Sequence, residues 1–304
     1  MLVKFKGRCG WWIGVAFSMW FFASPVKAVE LLASIKPLAL IANELALESD
    51  RVDYMLPAGV SPHAYALSVS QMRRLHSADL ILWVGPELES FLQKPVRARS
   101  AGHVLTLADL TGLHWPEESA AEAQHHDDHH DHAHEHDLHL WLNPQNTLRV
   151  VDALAQRLAI LNPAGAAAYA ERADEFKGRL RALDAELEVQ MRAISARGFA
   201  VYHDGYGHWV ARYGLNQVDY VTVTPDQAPG AKHLAQLQKH LRQEASCLFV
   251  EPYSDVSGAK RMAQNLGLSV AELDPLASAA ELNSYELLLR HLANRFSACL
   301  LGQL

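Results

Sequence analysis

The sequence has little of what marks the commonest protein classes. It holds three cysteines in 304 residues, none with a second at the short spacing of a cysteine metal site. No apolar run reaches the roughly 18 residues that a membrane-spanning helix needs. Neither the phosphate loop GxxxxGK[ST] nor the nucleophile turn GxSxG occurs, which sets aside P-loop nucleotidases and the commonest hydrolases. Positive charge is scarce as well, with 27 Lys and Arg against 34 Asp and Glu and a formal net charge of −7. That balance implies no surface able to neutralise a run of phosphates, so no nucleic-acid partner is expected. What is present is an ordinary hydrophobic fraction of 50% over a length that favours two domains. Histidine stands out: 17 in all, eight of them between His125 and His139.

Residues 1–28 read as a secretory signal. Lys4, Lys6 and Arg8 come without an acidic neighbour, an apolar run fills 11–23, and Pro25 precedes the small-residue site Val26-Lys27-Ala28. The mature chain is expected to begin at Val29. The apolar run is too short to cross about 30 Å of hydrocarbon as an uncleaved anchor. Cys9 lies before the run and does not read as a lipid-attachment site. Removing the segment takes away four positive charges and leaves 23 against 34, so the exported protein is acidic.

Export agrees with the remaining cysteines. Cys247 and Cys299 form an even set in what would be an oxidising compartment, and a disulfide is the expected reading, with two separate buried thiols as the alternative. Closing a loop of 52 positions stabilises by roughly 4 kcal/mol on the chain-entropy model.

Along the mature chain, short apolar runs alternate with helical patterns. Strands are expected at 31–35, 52–56, 80–84 and 104–107, with helices near 38–47, 69–76 and 87–92. This order implies parallel sheets covered by helices. A polar stretch, 117–137, follows, then a helix over 144–161. An Ala/Glu/Arg/Leu-rich segment, 163–196, with no internal proline after Pro163 and two glycines, Gly165 and Gly178, predicts a continuous helix of about 45–50 Å. Alternation then resumes with strands near 199–203, 218–223, 247–250 and 268–273 and a last helix at 284–300. The order implies two α/β lobes, 29–161 and 198–304, joined by one long helix within 162–197.

The stretch 120–137 holds seven histidines (His125, His126, His129, His130, His132, His134 and His136), six acidic residues and no aromatic or β-branched residue. It cannot bury enough apolar surface to offset the entropy of ordering, so a mobile loop is expected. Its imidazoles and carboxylates make many transient combinations for a metal such as Zn²⁺, which suits a low-specificity collector better than one fixed site.

A fixed site needs residues at the ends of structured elements. His63 follows a strand candidate in PAGVSPHAYAL; His139 stands in DLHLWLNP, where the chain returns from the polar loop to apolar residues; His203 ends a strand candidate in FAVYHDGYGHW. Ligands bind at the carboxyl ends of parallel strands. Neutral imidazole is a common Zn²⁺ ligand, and a tetrahedral shell asks for one more donor, which Asp274 in AELDPLA or a water can supply. Asp274 also fits a plain turn before Pro275. Three imidazoles with at most one carboxylate make a softer shell than Mn²⁺ prefers, though Cu²⁺ would bind at least as tightly.

These residues carry a resemblance. PAGVSPHAYALSVSQMRRLHSADLILWVGPELESFLQKPV, the His-rich loop before HLWLNP, YHDGYGHW, PDQAPGAKHLAQL and ELDPLA together resemble the zinc-uptake ABC-transporter solute-binding proteins, the ZnuA family, over essentially the whole mature chain. The resemblance implies a monomeric periplasmic protein with two α/β lobes bridged by a rigid helix and a metal site in the cleft. It also implies delivery to a membrane permease served by an ATPase. The family's three ligand histidines fall on His63, His139 and His203, and its paired cysteines on Cys247 and Cys299. Where some zinc members have Glu before the first ligand, this chain has Pro62, which leaves Asp274 or water as the fourth donor. Manganese-carrying relatives have Glu where His203 stands, which favours zinc over a manganese- or iron-type cargo. Two readings from other classes stay open: a zinc hydrolase, with Glu251 or Asp204 as its base although no HExxH is present, and a metal-storage protein or adhesin built on the loop.

Overall fold

A computed structural model describes Met1 and residues 27–117 and 137–304. Nearly all of the expected signal segment and of the His-rich loop therefore lies outside the described residues.

The first lobe runs β1 (Glu30–Ala33), α1 (Lys36–Leu45), β2 (Arg51–Tyr54), α2 (Val69–Ser77), β3 (Leu80–Trp83), α3 (Gln93–Arg97) and β4 (Val104–Thr106). Its four strands are all parallel, in the order β2-β1-β3-β4. The helix expected at 87–92 is instead a 3-10 turn, Ser90–Leu92, leading into α3. Local chemistry sets the boundaries. Pro37 opens α1 in its first turn, where its missing N–H costs nothing. Ser68 and Gln71 close a reciprocal capping box at the start of α2. After the undescribed stretch, the 3-10 turn Leu140–Leu142 leads into α4 (Pro144–Leu161), capped by the Asn143 side chain.

The second lobe repeats the pattern: β5 (Gly198–His203), α6 (Gly207–Tyr213), β6 (Asn216–Thr222), α7 (Ala231–Glu244), β7 (Cys247–Val250), α8 (Ser257–Leu266), β8 (Ser269–Glu272) and α9 (Tyr285–Leu300). Its sheet is parallel in the order β6-β5-β7-β8. Central strands β3, β5 and β7 are buried along their whole length, as strands covered on both faces must be. Alternate residues serve different cores. Phe199 and Val201 join the main cluster, whereas Ala200 and Tyr202 face a separate outer layer. A disulfide, Cys247–Cys299, ties the start of β7 to the end of α9.

The lobes are joined by α5 (Ala166–Arg192), a helix of 27 residues spanning about 40 Å. It is shorter than the sequence pattern implies. Pro163–Gly165 forms a 3-10 turn, with Gly165 pressed between Asn162, Leu47 and Tyr169, where a Cβ would come within 2.8–3.0 Å of side-chain atoms. At the far end, Ala193, Ile194 and Arg197 close three-residue turns onto Gln190, Met191 and Ile194 before β5 begins. Tyr169, Ala173, Phe176, Leu180, Leu183, Leu187 and Met191 form one buried stripe at the three- and four-residue spacing of a helix face. This stripe packs on α1 and α4 of the first lobe and on α9 of the second. The main hydrophobic cluster is consequently continuous from Leu31 and Leu82 through α5 to Phe249 and Phe296. Among the described residues, no helix is long and apolar enough to cross a membrane.

Candidate metal centre

The carboxyl ends of the two sheets meet. His203 is the last residue of β5, and His63 lies in the segment after β2, beyond a turn in which Gly59 adopts φ +74°, a conformation that costs glycine least. His139 precedes the Leu140–Leu142 turn, whose three side chains are buried and anchor the chain end. The three imidazole rings stand with centroids 4.9 Å (His139 and His203), 5.0 Å (His63 and His203) and 5.6 Å (His63 and His139) apart. Their ligand atoms all lie within 4.8 Å of one another. Imidazole nitrogens on a tetrahedral Zn²⁺ stand about 3.3 Å apart, so a contraction of at most about 1.5 Å closes the three onto one ion. Pro62, Pro225, Tyr253, Pro275 and Leu276 line the same cavity, giving the polar nitrogens an apolar surround.

Two carboxylates hold the rings from behind. His139 Nδ1 donates to Asp137 Oδ1 over 2.6 Å, and the His139 amide donates to the same oxygen over 2.9 Å. His203 Nδ1 donates to Glu251 Oε1 over 3.0 Å, and the Tyr206 hydroxyl donates to that oxygen over 3.2 Å. Each bond fixes the Nδ1–H tautomer and leaves Nε2 as the lone-pair donor. His63 Nε2 and His203 Nε2 are buried without a hydrogen-bond partner among the described residues. A buried nitrogen without a partner is costly, and a cation on these lone pairs removes that cost. Gly205 keeps the rings close: a Cβ there would stand 2.5 Å from His203 Cε1 and 2.7 Å from His139 Cε1.

Electrostatics separate the groups. Burial, reinforced by the two neighbouring rings, pulls His63 down to about 2. Burial also acts to lower His203, but the Glu251 carboxylate outweighs it and raises that ring above its ordinary value. Burial would raise Asp137, yet His139 and His208 hold its carboxyl well below the usual range. Burial pushes Tyr206 well up, aided by Glu251, so its hydroxyl remains a donor.

Asp274 is buried but lies outside the three-histidine cluster. Its Oδ2 accepts from the Ser278 hydroxyl (2.9 Å) and the Ala279 amide (3.1 Å), while Oδ1 has no partner among the described residues. Asp204 accepts from Gln217 Nε2 at 2.8 Å. Of the two tryptophans near the candidate histidines in sequence, Trp141 lies 5.1 Å from His139 between ring centroids. Trp209 instead stacks on Phe296 in the second lobe's core. His125, His126, His129, His130, His132, His134 and His136 lie outside the described residues. Sequence reasoning overlooked Asp137, counting it as the end of the acidic loop, and weighed Glu251 only as a catalytic base. The usable signal was a carboxylate two positions before one candidate histidine, and another just past the strand neighbouring a second, because metal-binding imidazoles regularly donate their second N–H to a carboxylate.

Residues 31–299 match the family model of the zinc-uptake complex component A, periplasmic, ZnuA. This chain belongs to the ZnuA family. The high-affinity zinc uptake system protein ZnuA of Haemophilus ducreyi is 33% identical over 90% of this chain and 94% of its own length. That of Yersinia pestis is 32% identical over 90% and 92%. The periplasmic zinc-binding protein TroA of Treponema pallidum superposes with a TM-score of 0.74 over 90% of this chain and 99% of its own, at 20% identity, a likeness of fold. The ZnuA fold accounts for the paired lobes and the cleft between sheet ends, where the three histidines form a group that could hold a metal ion.

Proposed function

We propose that this chain is exported to the periplasm through its first 28 residues, captures one Zn²⁺ as cargo between its lobes and releases it to the membrane permease of an ABC importer driven by an ATPase. One observation carries the reading: three imidazoles, two buried and one half-buried, converge with ligand atoms within 4.8 Å, the two buried ones backed by carboxylates. An imidazole-rich shell suits Zn²⁺ better than Mn²⁺, whose preference is for oxygen. His63, His139 and His203 are the ligands in this reading, with Asp274 Oδ1 or a water as the fourth donor. The seven loop histidines add weaker equivalents. The protein acts as a monomer, with lobes 29–161 and 198–304 around the linking segment 162–197.

Solute binding fits better than catalysis because the two bases a hydrolase would use are already engaged. Glu251 accepts from His203 and Tyr206, and Asp204 from Gln217. Calorimetric titration of Zn²⁺ into the apo-protein, with and without residues 120–136, a deletion that takes the seven loop histidines and leaves Asp137 on His139, tests the reading. One tight equivalent is expected in both, with only weaker ones lost on deletion. Loss of the tight equivalent would transfer the primary site to the loop and favour storage. Replacing His63, His139 or His203 by alanine is expected to weaken the tight site by orders of magnitude in each case.

A further inference from the structure

His208 is a buried histidine that takes no part in the three-ring cluster. It lies in the first turn of α6, five residues after His203, and is 1% exposed. Its Nε2 lies 2.7 Å from the Asp137 carbonyl oxygen, and its own backbone N–H donates to Asp137 Oδ2 over 3.3 Å. Its Nδ1 lies 3.3 Å from Asn146 Nδ2. Because an amide nitrogen only donates, Nδ1 is the acceptor and Nε2 carries the proton given to Asp137. Asn146 is itself fixed on α4, bonded to the His114 carbonyl oxygen at 3.0 Å and the His114 amide at 2.7 Å. The neighbouring Gly207 has Asp137 Oδ2 2.9 Å from where a Cβ would stand, so α6 approaches Asp137 closely enough to grip it at side chain and backbone.

Asp137 in turn holds His139 by two bonds from one carboxylate oxygen. The chain of contacts therefore runs from the second lobe, which bears His203, through His208 to the residue that orients the first lobe's His139. We propose that His208 is a positioning residue of the metal site. It fixes the separation and tilt of His139 relative to His203 by clamping the Asp137 backbone, so that both Nε2 atoms face one point before the ion arrives. This rests on the reading of the three histidines as ligands and adds a fourth histidine that never touches the metal. Preorganised ligands bind tightly because the ion need not reorder them, and loss of such outer supports typically costs 10–100-fold in metal affinity.

The test is competition titration of Zn²⁺ against a chelator in the full mature chain, with visible absorption of the Co²⁺-loaded protein as a readout of ligand geometry. His208→Leu keeps the volume and removes the donor. It should fold, weaken Zn²⁺ binding by about 10–100-fold and alter the Co²⁺ bands. His208→Gln, whose amide can still donate to the Asp137 carbonyl, should recover affinity to within a few-fold of wild type and restore the bands. In an Asp137→Ala background, His208→Leu should add little further loss, because the two act in series. Unchanged affinity and spectrum in His208→Leu, with His139→Ala still losing the ion, overturns the proposal and leaves the ligand reading standing. Gln proving no better than Leu overturns it as well, by showing that only packing matters. Indifference of His139→Ala overturns both.

Discussion

His203 closes β5 and Glu251 is the first residue after β7, so the two stand side by side at the carboxyl ends of neighbouring strands in the centre of the second sheet. Val201 pairs with Phe249 in the parallel ladder, and two residues further on the His203 imidazole donates to the Glu251 carboxylate over 3.0 Å. Both are essentially buried. The strand order reverses between β5 and β7, so the pair flanks the point where loops diverge to either side and leave a crevice for a ligand.

This relationship makes Glu251 a test of ligand orientation. Glu251→Gln keeps an acceptor for His203 Nδ1–H but removes the charge that makes the imidazole a stronger donor to a cation. The expected result is a folded protein with Zn²⁺ affinity lowered by about 10–100-fold, measured by competition titration. Wild-type affinity would mean that the carboxylate is structural only.

Gly205 offers a test that changes no ligand and no charge. Its φ is outside the positive range, so alanine is acceptable to the backbone; the obstacle is space. The added methyl would collide with His203 Cε1 at 2.5 Å and His139 Cε1 at 2.7 Å. Gly205→Ala should therefore spread the two rings and weaken zinc binding by about 100-fold or more, since 1 Å of misplacement defeats a preorganised site. Thermal stability should fall by only about 1–3 kcal/mol, the usual cost of overpacking. Equal losses of stability and affinity in a chain that no longer melts cooperatively would defeat the spatial argument.

Acidification should release zinc, with the histidines contributing unequally. The ion needs neutral rings, so a ring whose pKa is raised competes for its proton first as pH falls. His203 is that ring, because Glu251 favours its charged form, and affinity should begin to drop at or above the ordinary imidazole value near 6.5. His63, pulled down to about 2 by burial and its neighbours, takes up no proton in the same range. The slope of log affinity against pH between about 7 and 5 should therefore stay below three protons per ion. A slope of three would show that all three rings titrate together. In Glu251→Gln the onset should move to lower pH.

Much of this was readable from residue order alone. Apolar β3 and β7 and the apolar run leading to His203 in β5 announced buried parallel strands, and three histidines at transitions from apolar runs to loops marked the meeting of sheet ends. What hid the supporting shell was distance along the chain. Glu251 reaches His203 from 48 positions away and His208 reaches Asp137 from 71, through strand register and helix placement that no local spacing reports. The overlong helix had a different cause. Pro163–Gly165 has composition compatible with a first helical turn, yet it forms a separate 3-10 turn in which Gly165 lies close against Asn162, Leu47 and Tyr169, contacts that residue order does not report.

Zinc binding should leave the lobes in place. The linking helix α5 has a continuous buried stripe, and although Gly178 lies within it no Gly/Pro pair interrupts it to act as a hinge; its Asp184 accepts from Arg212 Nη2 (2.8 Å) and the Tyr213 hydroxyl (3.1 Å) of α6. Further bonds cross between lobes: Trp141 Nε1 donates to the Pro275 carbonyl over 2.9 Å, and Lys36 Nζ to that of Ala279 over 3.0 Å. Opening about α5 would break these bonds and part a core shared by both lobes, whereas ring movements of an ångström or so break neither. Small-angle scattering of apo and zinc-loaded protein should accordingly give radii of gyration within about 1 Å of each other. The local adjustment should register in Trp141, which touches His139, and hardly at all in Trp209, stacked on Phe296. Trp141→Phe should abolish most of the zinc-dependent fluorescence change, and Trp209→Phe should leave it. A larger contraction, or a signal that follows Trp209, would mean that the second lobe moves as a body and that the helix bends.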